Sequence, residues 1–236
     1  MRYKFGFNFA EAMISLVIIG VVAALTIPAI IEHHDKKITA VKLHKFYSQL
    51  NYAISQYLKD NNMAPEDFPE PTPDKYDAAK EWWENTLGQY FDNTIEFAPK
   101  QDPTKRYCFI MKDGTALCTH GQSTASDGNK YITFHFYTDT KYVSKSTDAT
   151  DKYGRYDGKH GFLFNIDDGK LYAGIDQEMN RENLIDSCEY CSYNVGGDTT
   201  SKNAQCHHCA RLIQIDGWTI KNDYPWNKKC RGSNCS

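Results

Sequence analysis

The N-terminal quarter of the chain carries two different hydrophobic patterns. Residues 12–31 contain no charged side chain, and about 20 residues at 1.5 Å each cross a hydrocarbon core of roughly 30 Å. Across residues 43–58 apolar side chains instead recur every three or four positions, which predicts one stripe of an amphipathic helix. Asn61, Asn62 and Pro65 end this pattern. The two patterns together predict one helix of about 50 residues, with a membrane-spanning half and a half that packs on a globular head.

Farther along the chain, the spacing of apolar residues changes from helical to alternating. The stretch DAAKEWWENTLGQYF, residues 77–91, predicts a short helix whose two tryptophans support the core. Later runs alternate apolar and polar residues, and Asp113-Gly114 and Asp168-Gly169 each mark a tight turn between two such runs. An antiparallel sheet with one face packed on the apolar stripe of the long helix satisfies this pattern. The predicted fold class is therefore α+β.

Length, charge and motifs restrict the class of protein. A chain of 236 residues with a formal net charge of -3 fits one domain plus an appendage and gives no electrostatic reason to expect nucleic acid as a partner. The sequence contains no Walker loop, HExxH, GxSxG or dinucleotide fingerprint. We therefore expect a protein that is not an enzyme. The NIDDG stretch, residues 165–169, lacks the spacing of an EF-hand, and we interpret it as a hairpin turn.

A single carboxylate stands at the head of the apolar run. Glu11 directly precedes the uncharged stretch, and a carboxylate costs on the order of 2.5–3.5 kcal/mol toward the centre of a membrane helix. A removable signal peptide does not fit, because the apolar run is longer than about 7–15 residues and lacks a small-x-small cleavage site. A plain membrane anchor fits the length, but it accounts for Glu11 only if the side chain snorkels to the headgroups.

The stretch KFGFNFAEAMISLVIIGVVAALTIPAI, residues 4–30, resembles the prepilin-type cleavage and methylation motif of type IV pilins and type II secretion pseudopilins. The resemblance implies that prepilin peptidase cuts between Gly6 and Phe7 and that the new Phe7 amine is N-methylated. It also implies that Glu11, fifth in the mature chain, pairs with the N-terminal ammonium of a neighbouring subunit. Pro28 falls where this family has a helix proline, which removes one backbone hydrogen bond and kinks or loosens the helix.

The resemblance divides the chain into a leader (1–6), a transmembrane and filament-core helix (7–32), its amphipathic continuation (33–60) and an exported head (61–236). The sequence departs at residues 8–10, Asn-Phe-Ala, from the family's commoner Thr-Leu-Ile or Thr-Leu-Ala. The implied protein is a structural subunit of a type IV pilus-like filament or a secretion pseudopilus. It would be a single-pass protein of the inner membrane with an exported head, and later part of an extracellular or periplasmic filament.

The implied partners are other pilin or pseudopilin subunits, prepilin peptidase, the inner-membrane assembly platform and membrane lipid. Two alternative functions stay open. One is a minor pilin that acts as a tip binding module in adhesion, DNA uptake or substrate binding. The other is a membrane-anchored zinc-binding domain.

The distribution of cysteines predicts an oxidised, exported C-terminal domain, because all eight lie beyond residue 107. Cys108 and Cys118 bracket the first hairpin. A two-residue loop at Asp113-Gly114 would point their sulfurs to opposite faces of the sheet. A three-residue loop with Gly114 in the left-handed conformation makes them direct cross-strand partners, and a glycine at the third loop position favours that version. We expect a disulfide here.

Two CxxC motifs, CEYC and CHHC, are separated by fourteen residues, which is close to the spacing of a zinc ribbon. Export favours disulfides at these motifs, each worth about 2–4 kcal/mol, and no cofactor. Zinc held by the same four cysteines is the alternative. These four cysteines are Cys188, Cys191, Cys206 and Cys209. The last two cysteines, Cys230 and Cys235, pair most simply with each other in a small terminal loop.

Overall fold

The computed structural model describes residues 8–71, 76–91, 95–96, 107–124, 130–143, 158–174, 180–186, 208–226, 230–231 and 234–235. The chain forms two compact units, residues 1–38 and residues 39–236. Helix α1, Phe9–Asp60, contributes to both units. The predicted long N-terminal helix is therefore confirmed.

The first unit contains the apolar part of α1. The large hydrophobic side chains between residues 9 and 31 are at least half exposed, Phe9 most of all at 78%. By length and composition this helix can span a membrane. The first charged residue after the apolar run, Glu32, forms an ion pair with Lys36 one turn later, with 2.5 Å between the carboxylate oxygen and Nζ.

In the second unit, the predicted apolar stripe of α1 faces a hydrophobic core. Leu43, Leu50 and Ala53 are fully buried. The ring of Phe46 stacks on Phe136 with 4.5 Å between the ring centroids. These residues recur every three or four positions, so one face of the helix is removed from water while the opposite face stays solvated. The predicted stripe is therefore confirmed.

A C-terminal cap ends α1 at the predicted position. Asn62 adopts a left-handed φ of 50°. Its N–H donates to the carbonyl of Lys59 at 3.2 Å, and the N–H of Met63 donates to the carbonyl of Leu58 at 2.9 Å. This pair of bonds is a Schellman motif, in which asparagine takes the place that glycine usually occupies.

Six strands follow in one antiparallel meander, each paired with its neighbour in the sequence. This order confirms the predicted α+β class. Strand β3 contains a bulge between Thr119 and Gln122, which the alternation of residue types did not predict. The strands are β1 (Ile95–Glu96), β2 (Tyr107–Ile110), β3 (Ala116–Thr124), β4 (Lys130–Tyr137), β5 (Gly161–Asp167) and β6 (Lys170–Ala173).

A short helix covers part of the sheet, as the sequence predicts. Helix α2 runs over Tyr76–Asn85. Trp83 is buried against Phe109, with 4.4 Å between the ring centroids. The neighbouring Trp82 is also buried, and its indole N–H donates to the carbonyl of Pro69 at 2.8 Å. Both tryptophans therefore belong to the core. The N–H of Trp82 also has the hydrogen-bond partner that a buried indole needs.

Lysines of α1 are bonded to the sheet-side loops of the second unit. Lys45 Nζ lies 2.6 Å from a carboxylate oxygen of Asp113, and Lys42 Nζ donates to the carbonyl of Thr138 at 2.6 Å. Burial alone would raise the pKa of Asp113, but hydrogen bonds from Lys45 and Thr115 outweigh it and hold the pKa below its usual value. The helix is thus fixed to the first hairpin by polar contacts as well as by apolar packing.

Two further helices, α3 (Arg181–Asp186) and α4 (Cys209–Ile215), pack on each other. Two hydrogen bonds of 2.5 and 3.0 Å join the Arg181 guanidinium to Asp216, and a third of 2.9 Å joins it to Asp223. The Asp216 side chain is almost completely buried, so this forked geometry compensates for the loss of hydration of its charge. Residues near the C-terminus are therefore held to α3 by charge-assisted bonds.

Gly217 follows the C-cap of helix α4 and stops the helix. Gly217 has a φ of 69°, and its N–H donates to the carbonyl of Gln214 at 3.0 Å. The next residue, Trp218, is also left-handed, with a φ of 58°. Its ring stacks on His44 and lies 5.0 Å from Tyr47, measured between ring centroids. Contacts with α1 therefore offset the strain of this backbone conformation.

The two hairpin turns allow a matched test of the packing at the β5–β6 turn. Gly114 and Gly169 both have left-handed φ values, 77° and 65°. A Cβ at Gly114 would meet nothing within 4 Å, whereas one at Gly169 would collide with the backbone carbonyl of Pro65. We expect Gly114→Ala to lower the free energy of unfolding by about 1–2 kcal/mol, and Gly169→Ala to lower it further. Denaturant unfolding followed by tryptophan fluorescence measures both; equal losses would contradict the clash.

Candidate functional site

Glu11 lies in the first turn of α1, beside the residue that caps the helix. Glu11 Oε2 accepts a hydrogen bond from the backbone N–H of Asn8 at 3.2 Å. In return, Asn8 Oδ1 accepts one from the N–H of Ala10 at 3.3 Å. The first intrahelical bond follows, from the N–H of Ala12 to the carbonyl of Asn8 at 3.2 Å. This reciprocal pattern is a capping box, in which each side chain satisfies a donor that the helix leaves without a partner.

The capping box gives Glu11 a partner within its own chain. The pilin resemblance implies a partner on a neighbouring chain, but Asn followed three residues later by Glu is also a known signal for a helix N-terminus. A carboxylate has two oxygens and about four acceptor positions. The two partners are therefore compatible. The predicted cleavage residues Gly6 and Phe7 lie outside the described residues.

Pro28 lies inside α1, and the helix continues on both sides of it. Because proline has no backbone N–H, it cannot donate to the carbonyl of Ala24 four residues earlier. The predicted kink or loosening at this position stays a prediction.

Cys108 and Cys118 form a disulfide on the sheet face that points away from α1. They are direct cross-strand partners in β2 and β3. The loop between these strands has three residues, because the N–H of Met111 still donates to the carbonyl of Thr115 at 2.9 Å. Gly114, the third loop residue, is left-handed. This is the three-residue alternative of the sequence analysis. Both cysteines are fully buried, so solvent does not reach the disulfide.

Of the remaining cysteines, Cys209 is the one whose side chain the structure describes. It begins α4, is buried and is disulfide-bonded. The backbone places Cys230 directly opposite Cys235 in a two-stranded sheet formed by β7 (Cys230–Arg231) and β8 (Asn234–Cys235). Cys188, Cys191 and Cys206 lie outside the described residues.

The form of Cys209 bears on the alternative zinc site. Zinc binds the thiolate form of cysteine, and a sulfur in a disulfide is not a thiolate. Among the described residues, no three His, Cys, Asp or Glu side chains are grouped so that they could hold a metal ion.

A shallow acidic depression, which the sequence analysis did not predict, lies beside the β5–β6 turn. Carboxylates of Glu66, Glu70 and Asp168 line it. Burial, followed by repulsion from Asp168 and Glu70, raises the pKa of Asp167 next to it. The turn itself is the predicted two-residue hairpin turn, with left-handed φ values at Asp168 and Gly169.

The model of a family of unknown function, DUF6613, matches residues 29–228. No curated protein and no solved structure matches the chain. The match begins directly after Pro28, whereas the cleavage, methylation and assembly residues of the pilin resemblance, Gly6, Phe7 and Glu11, precede Pro28. The family match therefore does not include these three residues.

Proposed function

Because the chain belongs to the family of unknown function DUF6613, we propose its function from its own residues: it is a structural subunit of a type IV pilus-like filament or a type II secretion pseudopilus. The observation that carries the proposal is the Glu11 carboxylate in the first turn of a helix that then runs uncharged to Ile31. The proposal adds to this the match of Gly6, Phe7 and Glu11 to the prepilin motif.

The physical support for this role comes from the surface of the first unit. Its apolar side chains are exposed to an extent that water does not tolerate over a large area. Lipid covers these apolar side chains before assembly, and apolar helices of other subunits cover them in a filament. Neither environment favours a particular axial position, because apolar surfaces slide past one another with little change in energy. One buried charge pair does favour a position, and Glu11 supplies one partner of such a pair.

In this proposal the chain enters the inner membrane as a single-pass protein with an exported head. Prepilin peptidase removes residues 1–6 and the Phe7 amine is methylated. The methylated ammonium of one subunit then faces the Glu11 carboxylate of the next, and the assembly platform adds subunits in turn. The disulfide of Cys209 and the facing positions of Cys230 and Cys235 support a further element of the proposal, a head whose C-terminal region is rich in disulfides.

We expect the native protein to begin at Phe7 and to carry one N-methyl group. Intact-mass and N-terminal peptide mass spectrometry of protein from its own membrane measure this. A Gly6→Val variant is the control, because the resemblance makes Gly6 part of the cleavage site, and it should keep residues 1–6. Wild-type protein that retains Met1, or that begins near residue 30, would contradict the proposed function.

A further inference from the structure

The capping box separates two properties of Glu11 that the proposed function alone does not distinguish. As a hydrogen-bond acceptor, Glu11 satisfies the N–H of Asn8. As a charge, it is the proposed partner of a neighbouring ammonium. Glutamine at this position would keep the first property, since it also completes a capping box, and would lose the second. The neutral side chain of Asn8 supplies an acceptor to the cap, at the N–H of Ala10, and adds no charge.

We propose that Asn8 is a positioning residue of the assembly site: by capping Ala10, it keeps the Glu11 carboxylate available for the ammonium of the next subunit. This inference rests on the proposed function. It also gives a physical reason for asparagine at a position where the sequence departs from the pilin pattern, since asparagine is among the strongest N-cap residues.

The reasoning concerns competition for one acceptor. The first turn of a helix has backbone donors without intrahelical partners, and lipid or apolar helices offer none. Asn8 Oδ1 takes the N–H of Ala10, at 3.3 Å. If that oxygen is removed, the Ala10 donor competes for the Glu11 carboxylate, which already accepts the N–H of Asn8 in the same turn. A carboxylate that accepts more hydrogen bonds from its own helix N-terminus has fewer acceptor positions left for a donor from another chain.

The test uses the full-length mature protein in lipid nanodiscs for two spectroscopic readouts, and the same variants in cells for filament yield. The variants are Asn8→Ala, which removes the cap, Asn8→Ser, which keeps it, and Glu11→Gln, which keeps the cap and removes the charge. In nanodiscs, NMR measures the exchange rate of the Ala10 amide and the chemical shift of the Glu11 carboxyl carbon. In cells, sheared filaments are quantified against total subunit.

We expect Asn8→Ala to speed exchange of the Ala10 amide by about fivefold. The same variant should change the chemical shift of the Glu11 carboxyl carbon, because the carboxylate accepts an additional N–H. Filament yield should fall, and Asn8→Ser should restore all three quantities. Glu11→Gln should keep the Ala10 amide protected and still lose filaments. The chemical shift separates positioning from a merely structural cap, since loss of helix structure alone would remove the hydrogen bond from the Asn8 N–H to the carboxylate instead of adding one.

An Asn8→Ala protein with wild-type exchange at Ala10 and a wild-type chemical shift at the Glu11 carboxyl carbon would overturn the inference. Altered exchange and chemical shift with undiminished filament yield would overturn it as well, because the cap would then not affect assembly. A wild-type chain that is not cleaved at Phe7 and forms no filaments would overturn the proposed function instead. The two nanodisc readouts would still decide whether Asn8 controls the carboxylate.

Discussion

Replacing Glu11 with alanine is expected to leave membrane insertion intact and to reduce filament yield at least tenfold. The variant segment is more apolar than the wild-type segment, so transfer into lipid becomes easier. In the proposed filament the same change leaves one ammonium in apolar surroundings without its counter-charge. Stranding a buried charge costs about 3–5 kcal/mol, and about 1.4 kcal/mol already corresponds to a tenfold change in an association constant.

The matched control for this variant is Ser15→Ala. Ser15 is the next polar side chain along the apolar run, and its hydroxyl donates to the carbonyl of Glu11 at 2.8 Å. Its removal deletes a polar group from the same segment without changing charge, and filament yield should stay at the wild-type level. Sheared filaments and the membrane fraction are compared by immunoblot for both variants. Wild-type yield from Glu11→Ala, or an equal loss from both, would refute pairing by Glu11.

The elements that the sequence predicted are those specified by neighbouring residues. The helical stripe that contains Leu43 and Leu50 was readable because helix periodicity is local, and both residues are buried. The end of α1 was readable because Asn62 tolerates the left-handed conformation that a helix cap requires. The loop at Gly114 was readable for a similar reason. In each case one or two side chains decide the conformation of their own segment.

Features that depend on tertiary contacts were not readable. The acidic depression joins Glu66 and Glu70 to Asp168, which are distant in the sequence and approach only because the β5–β6 turn packs on Pro65. The left-handed backbone at Trp218 is likewise maintained by His44 and Tyr47 of α1. No local propensity favours a tryptophan in that conformation.

The candidate site shows a different kind of omission. Asn8 and Glu11 are three residues apart, and their capping pattern is as local as any turn signal. The pilin resemblance implies a partner for Glu11 on a neighbouring chain, and it carries no information about a partner within the same helix. The charge of Glu11 is explained by the proposed neighbour, while its geometry is explained by its own helix.

The double variant Cys108→Ala/Cys118→Ala is expected to lower the free energy of unfolding of the head by about 2–4 kcal/mol. The disulfide joins adjacent strands at a sequence separation of 10 residues, so its loss enlarges the ensemble of the unfolded chain. All four tryptophans lie between residues 82 and 226. Their fluorescence therefore reports unfolding of the head in denaturant, with the full-length chain kept in detergent. The single variant Cys108→Ala should lose a similar amount, since either change opens the same loop.

Metal removal distinguishes disulfides from the alternative zinc site. A strong chelator should leave the unfolding midpoint of the wild-type chain unchanged. Protein that is reduced in denaturant and then refolded should have a lower unfolding midpoint. Protein from an oxidising compartment, denatured without reductant, should show no free thiols and no zinc. Four titratable thiols with one zinc per chain would contradict disulfides at the CxxC motifs. That result would leave the Cys108–Cys118 bond in place, because these two sulfurs are already joined to each other and cannot serve as metal ligands.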